Sequence, residues 1–236
     1  MTAAEQKRQM RQRFKQRRRD VTNEQYRSAS LAACRRAAAH VAELREQLGR
    51  PLRIFAYLPF GKELDIKALL AACRSAGDDI YIPRTEAADH SMTLHRWDER
   101  TRYTTGCFGL QEPVPETEQL AAADWPLLDV IVVPGIAFDR QGGRMGLGAG
   151  YYDRFWDRLI AASRLTLVPG GEGKPASDIP LPVRISCVYA WQVIERVPME
   201  SHDMTVERLF TEDGVIFCAE SRNLRNEHEH GSLDSF

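Results

Sequence analysis

Residues 129–154 read DVIVVPGIAFDRQGGRMGLGAGYYDR, and the two halves of this stretch follow different rules. The first six residues are nearly all apolar and β-branched, the composition of a strand covered on both faces at the centre of a parallel sheet. The second half carries glycines at 142, 143, 146, 148 and 150 and runs into a helix expected over about 149–163. Glycine at that density would weaken a purely structural connection. Placed after a central strand, it lets backbone N–H groups converge on an anion, and the helix N-terminus behind it adds positive dipole. Open α/β sheets put their sites at the carboxyl ends of strands.

Working outward, the chain alternates between short apolar runs and helical stretches. Strands are expected at 53–58, 80–82, 92–97 (nearer an edge) and 185–190, with a helix at 65–76 stopped by Gly77. A terminal hairpin is expected from 207–211 and 215–218, turning at Asp213–Gly214. Thr22 and Gln25 have the spacing of a capping box, opening a helix that ends at Gly49 and Pro51. Residues 100–126 and the Gly/Pro-rich 168–182 read as irregular. The pattern predicts an α/β fold in three layers, a mainly parallel sheet with helices on both faces. Residues 1–220 are expected to form one domain, opened by a basic helix over 4–20, and the polar residues 221–236 to be disordered.

With 32 basic and 33 acidic residues the net charge is -1, so no global field points to nucleic acid or an anionic membrane. The cysteines, Cys34, Cys73, Cys107, Cys187 and Cys218, are odd in number and contain no C-x-x-C, against a disulfide framework or zinc cage and in favour of a reducing cytoplasm. No apolar stretch has the length of a membrane span, and the charged opening lacks a signal-peptide core. The histidines show no metal-ligand spacing.

Arg144, inside the glycine-rich run, has the chemistry of a fixed cation for charge developing on a transferring phosphoryl group. The run is neither a G-x-x-x-x-G-K-[ST] P-loop nor a G-x-G-x-x-G fingerprint, so composition takes it to an anion-binding loop, with a plain glycine-rich turn as the alternative. Asp153 falls in the first helical turn, where the dipole alone accounts for a carboxylate. Beside a triphosphate it gains a second reading as a Mg²⁺ ligand, with Asp203 as the second carboxylate or simply a loop residue.

Eight Lys or Arg lie between residues 7 and 19 without an acid. Lys7, Arg11, Lys15 and Arg18 form one helical stripe, with Met10 and Phe14 on the adjoining one. Such a helix docks by its small apolar face and holds cations at the edge of what it covers, as a phosphate clamp or as a solvated arm that attracts RNA. Glu63 follows the first strand and is either an exposed loop residue or an acceptor for an N–H-rich heterocycle. Tyr151, Tyr152, Phe60 and Trp191 are candidate flat walls, or core.

The glycine-rich segment, with PGIAFD before RMGLGAGYYDR, resembles the signature of the 5-formyltetrahydrofolate cyclo-ligase family, also called methenyltetrahydrofolate synthetases. K-x-x-x-R at the start, IFAYLPFGKELD, FGLQEP and VPMESHDMTVERLFTEDG extend the resemblance in matching order over most of residues 7–218. It implies ATP contacts from Lys7 and Arg11, and a nucleotide-binding loop from Arg144, Met145, Gly146, Leu147, Gly148, Ala149, Gly150, Tyr151 and Tyr152. Leu58, Glu63 and residues 147–151 are implied to touch folate, and Asp153 and Asp203 to hold Mg²⁺.

The implied reaction is ATP-dependent conversion of 5-formyltetrahydrofolate to 5,10-methenyltetrahydrofolate through a phosphorylated imidate, with ADP and phosphate released. The resemblance also implies a small cytosolic monomer. Ala149, Ser186–Cys187 and the 164–182 loop depart from the family pattern, which leaves room for a different formylated or carboxylated substrate.

Overall fold

The computed structural model describes residues 3–106, 109–165, 180–200 and 203–219. Most of the 168–182 loop and all of the 221–236 tail lie outside them. Helix α1 is Ala3–Arg19 and α2 is Asn23–Leu48. The Thr22–Gln25 capping box forms with both of its hydrogen bonds, and Gly49 closes α2 in the left-handed conformation at φ 63°, a region glycine enters at little cost.

Strand β1 is Arg53–Phe55, α3 is Lys67–Ser75, β2 is Asp79–Glu86 and β3 is Ser91–Trp97. The stretch 100–126 is more ordered than its composition suggests. It forms a hairpin of β4 (Tyr103–Thr105) and β5 (Gln111–Pro113), a short edge strand β6 (Gln119–Leu120) and a 3-10 helix at Ala122–Leu127. These pieces are too short for hydrophobic periodicity to register.

The central strand β7 is Val130–Val132, followed by β8 (Ala137–Asp139), β9 (Arg144–Met145) and helix α4 (Tyr151–Leu165). The glycine-rich passage is thus part hairpin: β8 pairs antiparallel with β9 and parallel with β11 (Val193–Ile194). Strand β10 is Val183–Cys187. The expected terminal hairpin forms from β12 (Arg208–Phe210) and β13 (Val215–Phe217), its turn held by Thr211 N–H on the Gly214 carbonyl at 2.9 Å.

The main sheet runs β13-β12-β10-β7-β1-β2-β3-β6. Its five inner strands from β12 to β2 are parallel, and the outer pairings are antiparallel. Alternate residues of β1 and β7 point to opposite layers. Ile54, Val130 and Val132 pack with α2 and α3 through Ala33, Ala37, Val41, Leu69 and Leu70. Phe55, Ile131 and Val133 pack with Phe155, Trp156 and Leu159 of α4. A strand buried on both sides therefore reads as a continuous apolar run, the feature that made 129–134 legible. A third cluster joins Phe14 of α1 to Ile136, Ala137, Met145 and Val197.

Candidate active site

Chain leaving the carboxyl end of β7 builds the site. The turn between β8 and β9 is drawn tight around Asp139, whose carboxylate accepts the N–H groups of Gln141, Gly143 and Val197. This rigid hairpin carries Arg144. Its side chain is 4% exposed and donates to Asp153 Oδ1 at 2.5 Å and to the carbonyls of Pro134 at 3.3 Å and Met204 at 3.4 Å. Three separate backbone or side-chain acceptors fix the guanidinium, as expected of a preorganised cation.

Between Arg144 and Asp153 the loop 146–150 bends out, with φ at 108° for Gly148 and 71° for Gly150. A Cβ on Gly148 would meet the Arg11 guanidinium carbon at 3.3 Å, so glycine there serves both the backbone angle and the close approach of a cation. Arg11 Nε donates to the Gly146 carbonyl at 3.1 Å. Arg154 donates to the Ala149 carbonyl and, at 3.3 Å, to that of His90. Leu147 is exposed at the loop tip.

Asp153 and the chain segment that carries Asp203 are in contact. Met204 N–H, next in chain to Asp203, donates to Asp153 Oδ1 at 3.0 Å. Asp203 Oδ2 accepts from Lys7 Nζ at 3.3 Å and Glu200 N–H at 2.9 Å, and Lys7 also reaches Glu200 at 3.1 Å. Partial burial works against the Lys7 ammonium, but the Glu200 and Asp203 carboxylates outweigh it and hold the pKa above the ordinary 10.5. Among the described residues no cluster of three or more His, Cys, Asp or Glu forms a metal cage. Two hard carboxylates suit Mg²⁺ when phosphate and water oxygens complete the shell, so the donor set fits that ion.

Helix α1 lies across this end of the sheet. Phe14 is buried and stacks on Trp191 at 5.8 Å between ring centres, with Tyr189 stacked on Trp191 at 5.4 Å and the Arg17 guanidinium 4.8 Å above the Trp191 ring. Trp191 therefore supports α1, and its half-buried ring also lines a pocket with Met10, Arg13, Arg17 and Ile194. Lys7, Arg11 and Arg18 of the expected stripe all reach the site, while Lys15 is exposed. Arg18 pairs with Glu63 at 2.9 Å.

Leu58 is partly buried against the core beneath the Glu63 loop, and Phe60 is 53% exposed. Tyr151 is tied by its hydroxyl to the Glu86 carbonyl at 3.3 Å. Tyr152 stacks on Phe55 at 5.6 Å, its ring 5.8 Å from the Arg144 guanidinium carbon. The Tyr152 hydroxyl is buried with no hydrogen-bond partner among the described residues, and burial pushes its pKa far up. Ser186 and Cys187 lie in the core, Ser186 Oγ donating to the Val133 carbonyl at 2.6 Å, so that departure does not line the cleft.

Sequence reading did not single out Arg154 or Glu200, although both stand inside quoted motifs. Arg18 was recognised as a stripe cation but not as the partner of Glu63. The signal was its position, since eleven residues is just over three whole helical turns after Lys7.

The sequence model of the 5-formyltetrahydrofolate cyclo-ligase family matches residues 3–212. The 5-formyltetrahydrofolate cyclo-ligase of Mus musculus is 24% identical over 210 residues, covering 88% of this chain and 94% of its own. The enzyme of that name from Mycolicibacterium smegmatis is 30% identical over 165 residues, covering 67% and 72%. Among solved structures, the NMR structure of Aquifex aeolicus 5,10-methenyltetrahydrofolate synthetase superposes with a TM-score of 0.66 at 26% identity, over 95% of this chain and 98% of that one. A match that takes in α1, the glycine-rich loop and the Asp203 segment together places the chain in the 5-formyltetrahydrofolate cyclo-ligase family.

Proposed function

We propose that the protein converts 5-formyltetrahydrofolate to 5,10-methenyltetrahydrofolate at the expense of ATP, which is cleaved to ADP and phosphate. The observation that carries this reading is the convergence of Arg144, the 146–150 loop, Asp153 and Asp203 at the carboxyl end of the central strand, with α1 laid over them. In this reading Lys7, Arg11, Arg144 and the loop backbone from Met145 to Tyr152 receive the triphosphate. Asp153 and Asp203 hold Mg²⁺, which neutralises phosphate oxygens when bound. Leu58, Glu63 and the loop residues Leu147, Gly148, Ala149, Gly150 and Tyr151 receive the folate.

The formyl oxygen attacks the γ-phosphorus, the bond to the bridging oxygen breaks and ADP leaves. N10 then attacks the carbon of the phosphorylated imidate, which closes the five-membered ring, and loses its proton; expulsion of phosphate from that carbon leaves the methenyl product. Such chemistry needs positioning and charge neutralisation more than a protein nucleophile. Arg144, fixed on three acceptors, is suited to both without reorganising during the reaction.

Incubation with 5-formyltetrahydrofolate and Mg-ATP is expected to raise the near-ultraviolet absorbance of the methenyl product in step with ADP. Absence of both signals rejects the proposal. ADP release driven by another carboxylate and not by formylfolate would reassign the chain to a related ligase.

A further inference from the structure

Glu63 is held at both oxygens. Oε1 accepts from Arg18 Nη1 at 2.9 Å and Oε2 from the Phe60 N–H at 3.1 Å. The Arg18 and Glu63 side chains are only 15% and 14% exposed, which separates this pair from the solvated ion pairs that contribute little. The turn itself is closed by Glu63 N–H on the Phe60 carbonyl at 3.1 Å. Burial pushes the Tyr57 and Tyr152 hydroxyls upward; the Glu63 charge adds to it at both, and the Arg144 cation opposes it at Tyr152.

Arg18 also sits on the helix that carries Lys7. At 1.5 Å per residue the eleven residues between them span about 16 Å, so one rigid element reaches from Asp203 to Glu63.

We propose that Arg18 is a positioning residue for the heterocycle of the substrate. A carboxylate offers about four lone-pair directions. With one taken by Arg18 and one by Phe60 N–H, the remainder are fixed in direction and available to paired N–H donors such as those of a pterin ring. Arg18 touches no reacting atom; it sets the rotamer through which Glu63 recognises the ring. This rests on the reading above that Glu63 meets the folate.

The test compares Arg18→Met, Arg18→Lys and Glu63→Gln in the full-length protein. Equilibrium binding of 5-formyltetrahydrofolate and of ATP is measured separately, together with kcat, KM and thermal stability. Losing one charge-assisted hydrogen bond predicts a folate Kd and KM raised about tenfold to a hundredfold in Arg18→Met. ATP affinity should stay within about twofold, kcat should change less than KM, and Arg18→Lys should restore part of the loss.

Equal weakening of ATP and folate binding would mean that Arg18 only anchors α1, and overturns the proposal. So does tighter folate binding in Arg18→Met, which would make Arg18 a competitor. Folate binding weakened in Glu63→Gln but not in Arg18→Met sinks the role of Arg18 alone. Unchanged folate binding in Glu63→Gln sinks the pterin contact and the role of Arg18 with it.

Discussion

Arg144 and Asp153 stand nine residues apart and are joined by an ion pair of 2.5 Å. One ends the hairpin that leaves the central sheet and the other lies in the first turn of α4. Their contact closes the base of the glycine loop, and Arg11 and Arg154 brace its interior through the Gly146 and Ala149 carbonyls. It also means that each proposed metal carboxylate already holds a protein cation, Arg144 on Asp153 and Lys7 on Asp203. On the proposed reading, Mg-ATP would enter a site whose carboxylates and cations already neutralise one another.

Replacing Asp153 is expected to act twice. Asp153→Asn keeps an acceptor for the Met204 N–H but loses the charge, so Mg²⁺-dependent ADP release should fall by at least about 100-fold, comparable to removing one preorganised electrostatic group. Asp153→Ala should in addition lower stability by about 1–3 kcal/mol, because the nearly buried Arg144 loses its counter-charge; the lower end reflects the partial exposure of Asp153. Titrating activity against Mg²⁺, alongside thermal melts, separates the two effects. Unchanged Mg²⁺ dependence in the Asn variant would reject the metal role.

Docking of α1 should depend on one ring. Phe14 fills the gap between Trp191 and the Ile136–Met145 cluster, and Phe14→Ala at such a buried site costs about 3–5 kcal/mol. The cost here falls on the helix contact more than on the sheet. The expected result is earlier proteolytic cleavage within residues 3–19 and weaker ATP binding, with the main thermal transition shifted only slightly. Proteolysis and ATP binding unchanged from the parent protein would contradict it.

Alkaline sensitivity follows from Cys73. Burial, reinforced by the nearby Asp78 carboxylate, raises its pKa from 9.0 to about 12. The folded state thus holds the proton more tightly than the unfolded state. The stabilisation is complete below pH 9 and is lost as pH rises toward 12. Melting temperature should decline over that window, and Cys73→Ala should flatten the decline while lowering stability at neutral pH through the lost packing. Tyr57, Tyr152 and Cys187 are shifted in the same direction and leave a residual slope. Native Cys73 should also resist thiol reagents at pH 8. Rapid labelling there would contradict the buried, protonated thiol.

Much of the fold was legible because its signals are local. DVIVVP announces a doubly covered strand, and Thr22–Gln25 with Gly49 brackets a helix through its own hydrogen bonds. Asp213–Gly214 marks a turn whose flanking strands pair as expected. The hairpins within 100–126 and 135–150 were missed because strands of two or three residues owe their pairing to neighbours elsewhere in the sheet. Candidate site residues fared similarly. Arg144 and the glycines stand out by composition, whereas the stacking of Trp191 on Phe14 of α1 has no local signal.

By itself, then, the sequence determined the layered α/β architecture, a glycine-rich loop at the end of its central strand, and a basic helix with a small apolar stripe. Where that helix lies was decided by the tertiary structure. Lys7 meets Asp203 across 196 positions, Arg11 meets Gly146 across 135, and Arg18 meets Glu63 across 45. No periodicity or turn chemistry encodes such distances. They arise only once Phe14 is buried against Trp191 and Met145, because a rigid helix seated there carries Lys7, Arg11 and Arg18 to their partners together.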